Sequence, residues 1–238
     1  MANSLDLADL LGSLLAEPLQ ELGFKRAQRL IFQREASGVR QFLRFPTRLH
    51  NNIMFFNVNA AVRFEEIEKL LGNVDPLSPT LMMPVHLLRP NKEYHEWQFT
   101  PDYPGVLVDK VLADCRHYLL PLIEKMSVLE TLKSQLVFEI DHFATVAAER
   151  AQLNSEAERI KYDVTIQNNG RLKLVLSPEQ RVEKLAAIYV LEGKRDAAEH
   201  LIDAELAKLR IAKPLTPHIA SRLRWEKLKK TLLGEKIG

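Results

Sequence analysis

The hydrophobic pattern in the first quarter of the chain changes its period near Gly23. Before it, leucines recur at helical spacing, namely Leu7, Leu10, Leu11, Leu14, Leu15 and Leu22. Asn3 or Ser4 is the expected N-cap of this helix. Pro18 is expected to kink or restart this helix. From Phe24 to Val62 the apolar positions alternate with polar ones, with breaks at Ser37-Gly38 and at residues 50–52. The alternation predicts three consecutive antiparallel strands that bury one face.

The middle of the chain predicts more strand and then helix. A short helix over 63–71 and a proline-rich loop over 73–84 precede a further pair of strands at 85–89 and 95–100. Asp102 and Pro104 then begin a helix that Pro121 should bend, and one or two more helices follow over 127–150. These segments extend the predicted sheet and cover it.

The last third predicts a hairpin followed by helices. Asn169-Gly170 stands between two alternating runs at 162–166 and 171–176, which is a strong hairpin signal. Ser177-Pro178-Glu179-Gln180 has the form of a capping box, and helices are expected up to Gly193, over 194–209 and over 216–234. The predicted fold is α+β: an antiparallel sheet of four to five strands with helices on one face over 1–150, and a small hairpin with a helical C-terminal subdomain over 151–238.

Composition narrows the class of protein. The 238 residues include a single cysteine, Cys115, so no internal disulfide can form. Residues 1–23 contain no Lys or Arg ahead of the leucines, unlike a signal peptide, and no uninterrupted apolar stretch of membrane-spanning length occurs. We expect a cytoplasmic protein that does not contact a membrane. Its oligomeric state is not predictable.

Charge is concentrated in the predicted sheet. The whole chain carries a formal net charge of +2, whereas residues 24–64 carry eight basic side chains against Glu35 alone, a local net charge of +7. Such a segment on a near-neutral chain indicates a local site rather than general attraction to polyanions.

An arginine-bearing sheet face is the first candidate binding site. On a strand, Arg40, Arg44 and Arg48 share a face with Phe42 and Pro46, with about 13 Å between successive arginines. Arg26 and Arg34 share a parity on the neighbouring strand. Repeated guanidinium groups can hold an acidic protein surface or nucleic-acid phosphates. The alternative is an ordinary solvated face, offset by Glu65, Glu66 and Glu68.

A second candidate is a pocket at the strand ends. It would be lined by Arg89, His86, His95 and Trp97, with Asn57 and Asn59 adding polar groups. The alternative is that Trp97 is a core residue.

The sequence contains no arrangement that specifies catalysis, a metal or a cofactor. Cys115 and His117 are two residues apart on a predicted helix, so their side chains diverge. The seven histidines lack zinc-type spacing, and no glycine-rich phosphate loop is present. We therefore expect no catalytic group, no metal site and no cofactor.

Two resemblances follow from short motifs. The step Gly23-Phe24-Lys25-Arg26, the strand ending at Arg34, the stretch FFNVNAAV, the stretch VHLLRP with Arg89, and Leu120-Pro121 resemble a bacterial domain family of unknown function over residues 5–210. This chain has Trp97 alone where a pair of tryptophans is more usual. The resemblance implies a fold and no activity.

Residues 181–209 are similar to a single tetratricopeptide-like hairpin, through small and apolar residues at Leu185, Ala186, Tyr189, Gly193, Ala197, Ala198 and Leu201. One repeat cannot bury a core by itself, so a hairpin docked on its own chain is favoured over a peptide-binding array. The basic helix after Thr216 is either a partner-binding amphipathic helix or, in the favoured interpretation, a docked terminal helix.

The function favoured by these observations is a non-catalytic protein-interaction module, immunity-like or regulatory, whose Arg-rich sheet face binds another protein with an acidic surface. The alternatives are a nucleic-acid-binding protein that uses the same face, and an enzyme with a pocket near Arg89, His95 and Trp97.

Overall fold

The computed structural model describes residues 4–51, 53–88, 96–100, 104–153, 176–211 and 216–234, together with residues 155, 158 and 174. The chain groups into two compact units, each built from separate segments. The first unit comprises Met1–Arg63, Leu81–Thr131 and Leu153–Val175. The second comprises Phe64–Thr80, Leu132–Gln152 and Leu176–Gly238, whereas the sequence predicted one division near residue 150.

The elements follow one another from an N-terminal helix through strands to helices. Their bounds in the first half are α1 Ser4–Glu21, β1 Lys25–Gln28, β2 Ile31–Ala36, β3 Val39–Arg44, β4 Thr47–His50, β5 Ile53–Phe56, β6 Asn59–Arg63, α2 Glu65–Leu70, β7 Leu81–Pro84 and β8 Trp97–Phe99. The helices that follow are α3 Pro104–Asp114, α4 Leu120–Met126, α5 Leu129–Ala151, α6 Pro178–Leu191, α7 Arg195–Ile211 and α8 Thr216–Leu233. A π-helical turn, Cys115–Leu119, joins α3 to α4.

In the described part of the chain the strands form two antiparallel sheets, so the predicted α+β class is confirmed. One sheet has five strands in the order β1-β2-β3-β6-β7, and the other has three in the order β4-β5-β8. The alternating segment therefore contains six strands rather than three. Pro46 lies at the break between β3 and β4, where its missing N–H would leave a gap in a continuous ladder.

The turn between β2 and β3 fixes the register of the larger sheet. Ser37 and Gly38 both have positive φ, 54° and 74°, which suits a two-residue hairpin turn. The pairs then run without a bulge from Ala36↔Val39 to Ile31↔Arg44. As a result, the apolar side chains of alternate positions, including Phe32, Leu43 and Val62, share one fully buried face.

One local prediction is corrected, and two prolines that were expected to disturb helices can be located. The strand predicted at 85–89 is wrong, because Val85–Leu87 forms a 3-10 turn; the strand precedes it as β7, and β8 pairs with β5 instead. Pro18 lies inside a continuous α1. Pro121 comes at the start of α4, after the π-helical turn. The hairpin predicted at 162–176 falls on residues outside those described, apart from Leu174 and Leu176.

The second unit is built around α6. Its predicted capping box is confirmed, since the Ser177 side chain accepts from the Gln180 N–H and the Gln180 side chain accepts from the Ser177 N–H. Every residue from 181 to 188 is buried, including three charged ones. Arg181 pairs with Glu139 at 2.8 Å and Lys184 with Glu68 at 2.5 Å, and both carboxylates are fully buried. Helices α2, α7 and α8 contact α6.

A candidate anion-binding groove

Arg26 is held against α1 by a carboxylate of the same chain. Its Nη2 lies 3.1 Å from Asp9 Oδ1, and its Nε donates to the Arg29 carbonyl oxygen at 2.9 Å. Arg29 also contacts Asp9, with two nitrogens donating to the two carboxylate oxygens at 3.1 and 2.9 Å. Arg26 therefore joins the β1–β2 turn to α1 rather than standing unpaired on a sheet face.

Arg34 lies on the opposite side of the larger sheet from the face predicted for it. It shares the parity of the buried Phe32, and its guanidinium stacks over Phe24 at 4.6 Å. Its nitrogens donate to Gln41 Oε1 at 2.7 Å and to the Leu22 carbonyl at 2.9 Å, and Nη2 is 3.3 Å from Glu124. These contacts give Arg34 a structural role among α1, α4 and the sheet.

Arg40, Phe42 and Arg44 do share one face, as their spacing predicts, because they pair with Glu35, Gln33 and Ile31 of β2. Phe42, however, is fully buried, so a partner cannot reach its ring. The Nε of Arg40 lies 3.9 Å from Glu35 Oε1 across the β2–β3 pair. This face thus contains one ion-paired arginine and one covered aromatic ring beside Arg44.

Arg48 belongs to the smaller sheet, so it does not continue the face of Arg40 and Arg44. Its Nη2 is 2.5 Å from Glu96 Oε2, and its guanidinium lies 4.3 Å from the centre of the Phe55 ring. The predicted row of three arginines ends because the chain leaves the larger sheet after Arg44.

Arg44 differs from these arginines in having no carboxylate within ion-pair distance among the described residues. Its side chain is half-buried at the end of β3. It lines an open groove of about 620 Å³ whose other walls come from the β1–β2 turn, the β3–β4 break, β6 and β7. Its lining includes Gln28, Arg29, Phe45, Thr47 and Asn59.

The groove combines charge, hydrogen-bonding groups and apolar walls. Asn59 lies directly opposite Arg44 in the β3–β6 pair, and its Oδ1 is buried without a hydrogen-bond partner among the described residues. Its Nδ2 lies 3.5 Å from Met82 Sδ. The Arg44 guanidinium suits a carboxylate or phosphate oxygen, whereas Asn59 Oδ1 is an acceptor and suits a donor group of the same ligand. The sequence placed Asn59 in a different pocket, and it gave no signal for Gln28 or for the pairing of Arg29 with Asp9.

The predicted pocket around Trp97 is not formed by that side chain. Trp97 is 4% exposed, and its ring stacks on Phe56 of the adjacent strand with centroids 5.7 Å apart. Burial lowers the pKa of His86 below its usual value. Arg89 and His95 lie outside the described residues. Trp97 is therefore a core residue of the smaller sheet.

Cys115 is fully buried at the start of the π-helical turn, whereas His117 is exposed. Burial, reinforced by Asp114 and opposed by Arg116, raises the pKa of the Cys115 thiol to about 12. A thiol in this state is a poor nucleophile at neutral pH. Across the described part of the chain, no group of three or more His, Cys, Asp or Glu side chains is arranged to hold a metal ion.

Comparison with protein-family models, with curated proteins and with solved structures finds no match to this chain. The resemblance to a bacterial domain family therefore stays a prediction. Among the described helices, none has the length and apolar character that crossing a membrane requires.

Proposed function

We propose that the protein is a non-catalytic interaction module that binds an acidic segment of another protein, with Arg44 as the central contact. The observation that carries this proposal is the contrast within one set of arginines. Arg26, Arg34, Arg40 and Arg48 each have a carboxylate of the same chain within 4 Å, and Arg44 has none among the described residues.

The setting of Arg44 favours an incoming carboxylate. A half-buried cation has lost part of its hydration, so an anion that enters the groove restores a favourable interaction. The pairing can be bidentate, and charge-assisted hydrogen bonds are roughly twice as strong as neutral ones. The groove volume of about 620 Å³ is in the range of ligand pockets, and its open shape suits a side chain presented by a larger molecule.

The surrounding charges favour a protein over a nucleic acid. Exposed carboxylates lie among the arginines, with Glu35 80% and Asp9 54% exposed at their side chains. A nucleic acid requires several unopposed cations along its backbone, and these carboxylates would repel it. A protein surface can instead match one cation with one acid, which is compatible with a regulatory or immunity-like role.

The experiment compares Arg44→Gln with Arg40→Gln, a matched variant on the same strand and face whose arginine is already paired. The probe is a fluorescein-labelled twelve-residue polyglutamate peptide, titrated by anisotropy at low salt. We expect Arg44→Gln to weaken binding about tenfold or more, as for loss of a charge-assisted hydrogen bond worth about 1.5–3 kcal/mol. Arg40→Gln should change it less than threefold.

Equal binding by the wild type and Arg44→Gln would overturn the proposal, as would absence of binding to the wild type. A labelled single-stranded oligonucleotide of similar charge serves as the second probe. If it binds more tightly than the peptide, with an affinity that falls steeply with salt and depends on Arg44, the nucleic-acid alternative replaces the proposal.

A further inference from the structure

Among the described strands, β4 lies at an edge of the smaller sheet, beside the groove. In the smaller sheet it pairs with β5 on one side, and it is last in the strand order of the described residues. All four of its residues, Thr47–His50, are exposed. An edge of this kind presents backbone N–H and C=O groups that an additional strand can use.

The alternation of hydrogen-bonded and non-hydrogen-bonded pairs along β4 identifies which of its backbone N–H and C=O groups an added strand can bind. The Asn57 N–H donates to the Pro46 carbonyl at 3.3 Å, in register with the pairs Thr47↔Phe56 and Arg48↔Phe55. Because hydrogen-bonded and non-hydrogen-bonded pairs alternate in antiparallel sheets, Arg48 and His50 direct their backbone groups toward β5. Thr47 and Leu49 therefore direct theirs away from the sheet.

The backbone N–H and C=O groups of Thr47 and Leu49 form a short template for an added strand. Two donors and two acceptors two residues apart, about 7 Å, match the spacing of an extended chain. Arg48 is fixed over Phe55 and against Glu96, which holds β4 on its own sheet. Leu49, on the same side of the strand as Thr47, is 43% exposed and offers an apolar contact to an added strand.

The edge and the groove are continuous through Thr47. Thr47 is both the first residue of β4 and a lining residue of the groove that contains Arg44. Three residues of extended chain span about 10 Å, so a segment that pairs with Thr47 and Leu49 reaches Arg44 a few residues further along. Charge complementarity with Arg44 then requires an acidic residue at that point of the segment.

We infer that the partner binds as an extended acidic segment that adds a strand to β4. Its backbone pairs with Thr47 and Leu49, and one of its carboxylates enters the groove and contacts Arg44. For the carboxylate contact, the inference rests on the function proposed above. Backbone pairing supplies affinity in this mode, and the groove supplies the selection for an acid.

The test uses a labelled eight-residue peptide of alternating valine and glutamate. Leu49→Pro removes the outward N–H while the inward ladder of Arg48 and His50 is kept, and Leu49→Ala is its matched control, since it removes the side chain and keeps the N–H. We expect Leu49→Pro to weaken peptide binding at least tenfold and Leu49→Ala less than threefold.

A second measurement uses the wild-type protein, so it holds even if Leu49→Pro fails to fold. Amide exchange followed by NMR should slow at least tenfold at Thr47 and Leu49 when the peptide is added, with smaller changes at Arg48 and His50, whose amides are already paired. Unchanged exchange at Thr47 and Leu49 at saturating peptide overturns strand addition.

The two proposals fail separately. If Arg44→Gln weakens binding but Thr47 and Leu49 stay unprotected, the acidic contact stands and strand addition is wrong. If both amides become protected and Arg44→Gln binds the peptide as well as the wild type does, strand addition stands and the proposed role of Arg44 is wrong.

Discussion

Gly12 is a residue at which α1 approaches the β1–β2 turn closely. A Cβ atom built there would overlap the Arg29 carbonyl oxygen and lie 2.5 Å from Arg26 Nη2. The carbonyl is backbone and cannot swing aside as a side chain can. The absence of a side chain at Gly12 is therefore what allows Asp9, one turn earlier in α1, to reach both arginines.

Gly12→Ala should destabilise the protein by about 1–3 kcal/mol, as overpacking of a close contact does. The sign is informative, because alanine in a helix interior is normally favoured over glycine by about 1 kcal/mol. Urea unfolding measures the difference, with Gln20→Ala, an exposed position of the same helix, as the control that should change little. A more stable Gly12→Ala variant would mean that the β1–β2 turn can move away from α1.

Cys115 predicts a loss of stability at alkaline pH. Its pKa is raised from 9.0 to about 12 in the folded protein, so the thiol stays protonated there while the thiolate forms in the unfolded chain. Its contribution is fully present below pH 9 and declines as pH rises toward 12. Between pH 9 and 10 the decline should be on the order of 1 kcal/mol, because one pKa unit corresponds to roughly that free energy.

Urea unfolding of the wild type and of Cys115→Ala from pH 8 to 10 isolates this effect, since lysine and tyrosine titration is common to both. The free-energy difference between the two proteins should change with pH in favour of the variant. Parallel pH profiles would contradict a buried, protonated thiol.

The arginines show which features of single residues could be predicted from the sequence and which could not. Alternation correctly assigned Arg40, Phe42 and Arg44 to one face. It could not identify the carboxylates that pair with Arg26, Arg34 and Arg48, because Asp9, Glu124 and Glu96 are 17, 90 and 48 positions away along the chain. Long-range pairing depends on tertiary structure, so the distinct position of Arg44 was not visible in the sequence.

At the scale of elements, α6 shows three charged side chains of one helix in different environments. Arg181 and Lys184 are nearly buried and pair with carboxylates that are fully buried. Glu183 is also buried, but its partner Arg224 is 62% exposed. Burial raises the pKa of Glu183, with Arg224 and Lys184 opposing that shift, so ionisation of this carboxyl is disfavoured by its surroundings.

Replacement of glutamate by glutamine at three positions should therefore lower the free energy of unfolding by two different amounts. Glu139→Gln and Glu68→Gln should each cost about 3 kcal/mol or more, because each removes a fully buried carboxylate that is paired with a buried cation. Glu183→Gln should cost less than about 1 kcal/mol, since water can solvate Arg224 when the carboxylate is lost. Thermal or urea unfolding at neutral pH measures all three. Equal losses at the three positions would contradict this distinction.

Elements defined by local signals were predicted well, and those defined by pairing were not. The capping box at Ser177 and the break at Gly193 act within a few residues, so α6 and α7 were found near their observed bounds. The smaller sheet was missed because its strands β4 and β5 continue the same alternation as the larger one. The partner of β8 lies some 40 residues earlier and leaves no local pattern.

At the scale of the whole molecule, the basic segment is partly neutralised by carboxylates from elsewhere in the chain. The local charge of +7 over residues 24–64 is opposed by Asp9, Glu96 and Glu124, which lie outside that segment. A count of charge along the sequence therefore overstates the positive potential of the folded surface. The proposed recognition accordingly depends on one cation in a groove rather than on a broad basic field.

The turn at Ser37 and Gly38 limits which insertions between β2 and β3 the fold can accommodate. Side chains in a strand alternate between sides, so inserting one amino acid there, if it shifted the pairing of β2 with β3 by one step, would exchange inside and outside for one of these strands. Leu43 would move to the face that carries Arg40 and Phe42, and Arg44 would be forced into the buried face that contains Phe32. An odd insertion that shifts this pairing should therefore destabilise the fold more than an even one, which keeps each side chain on its own face.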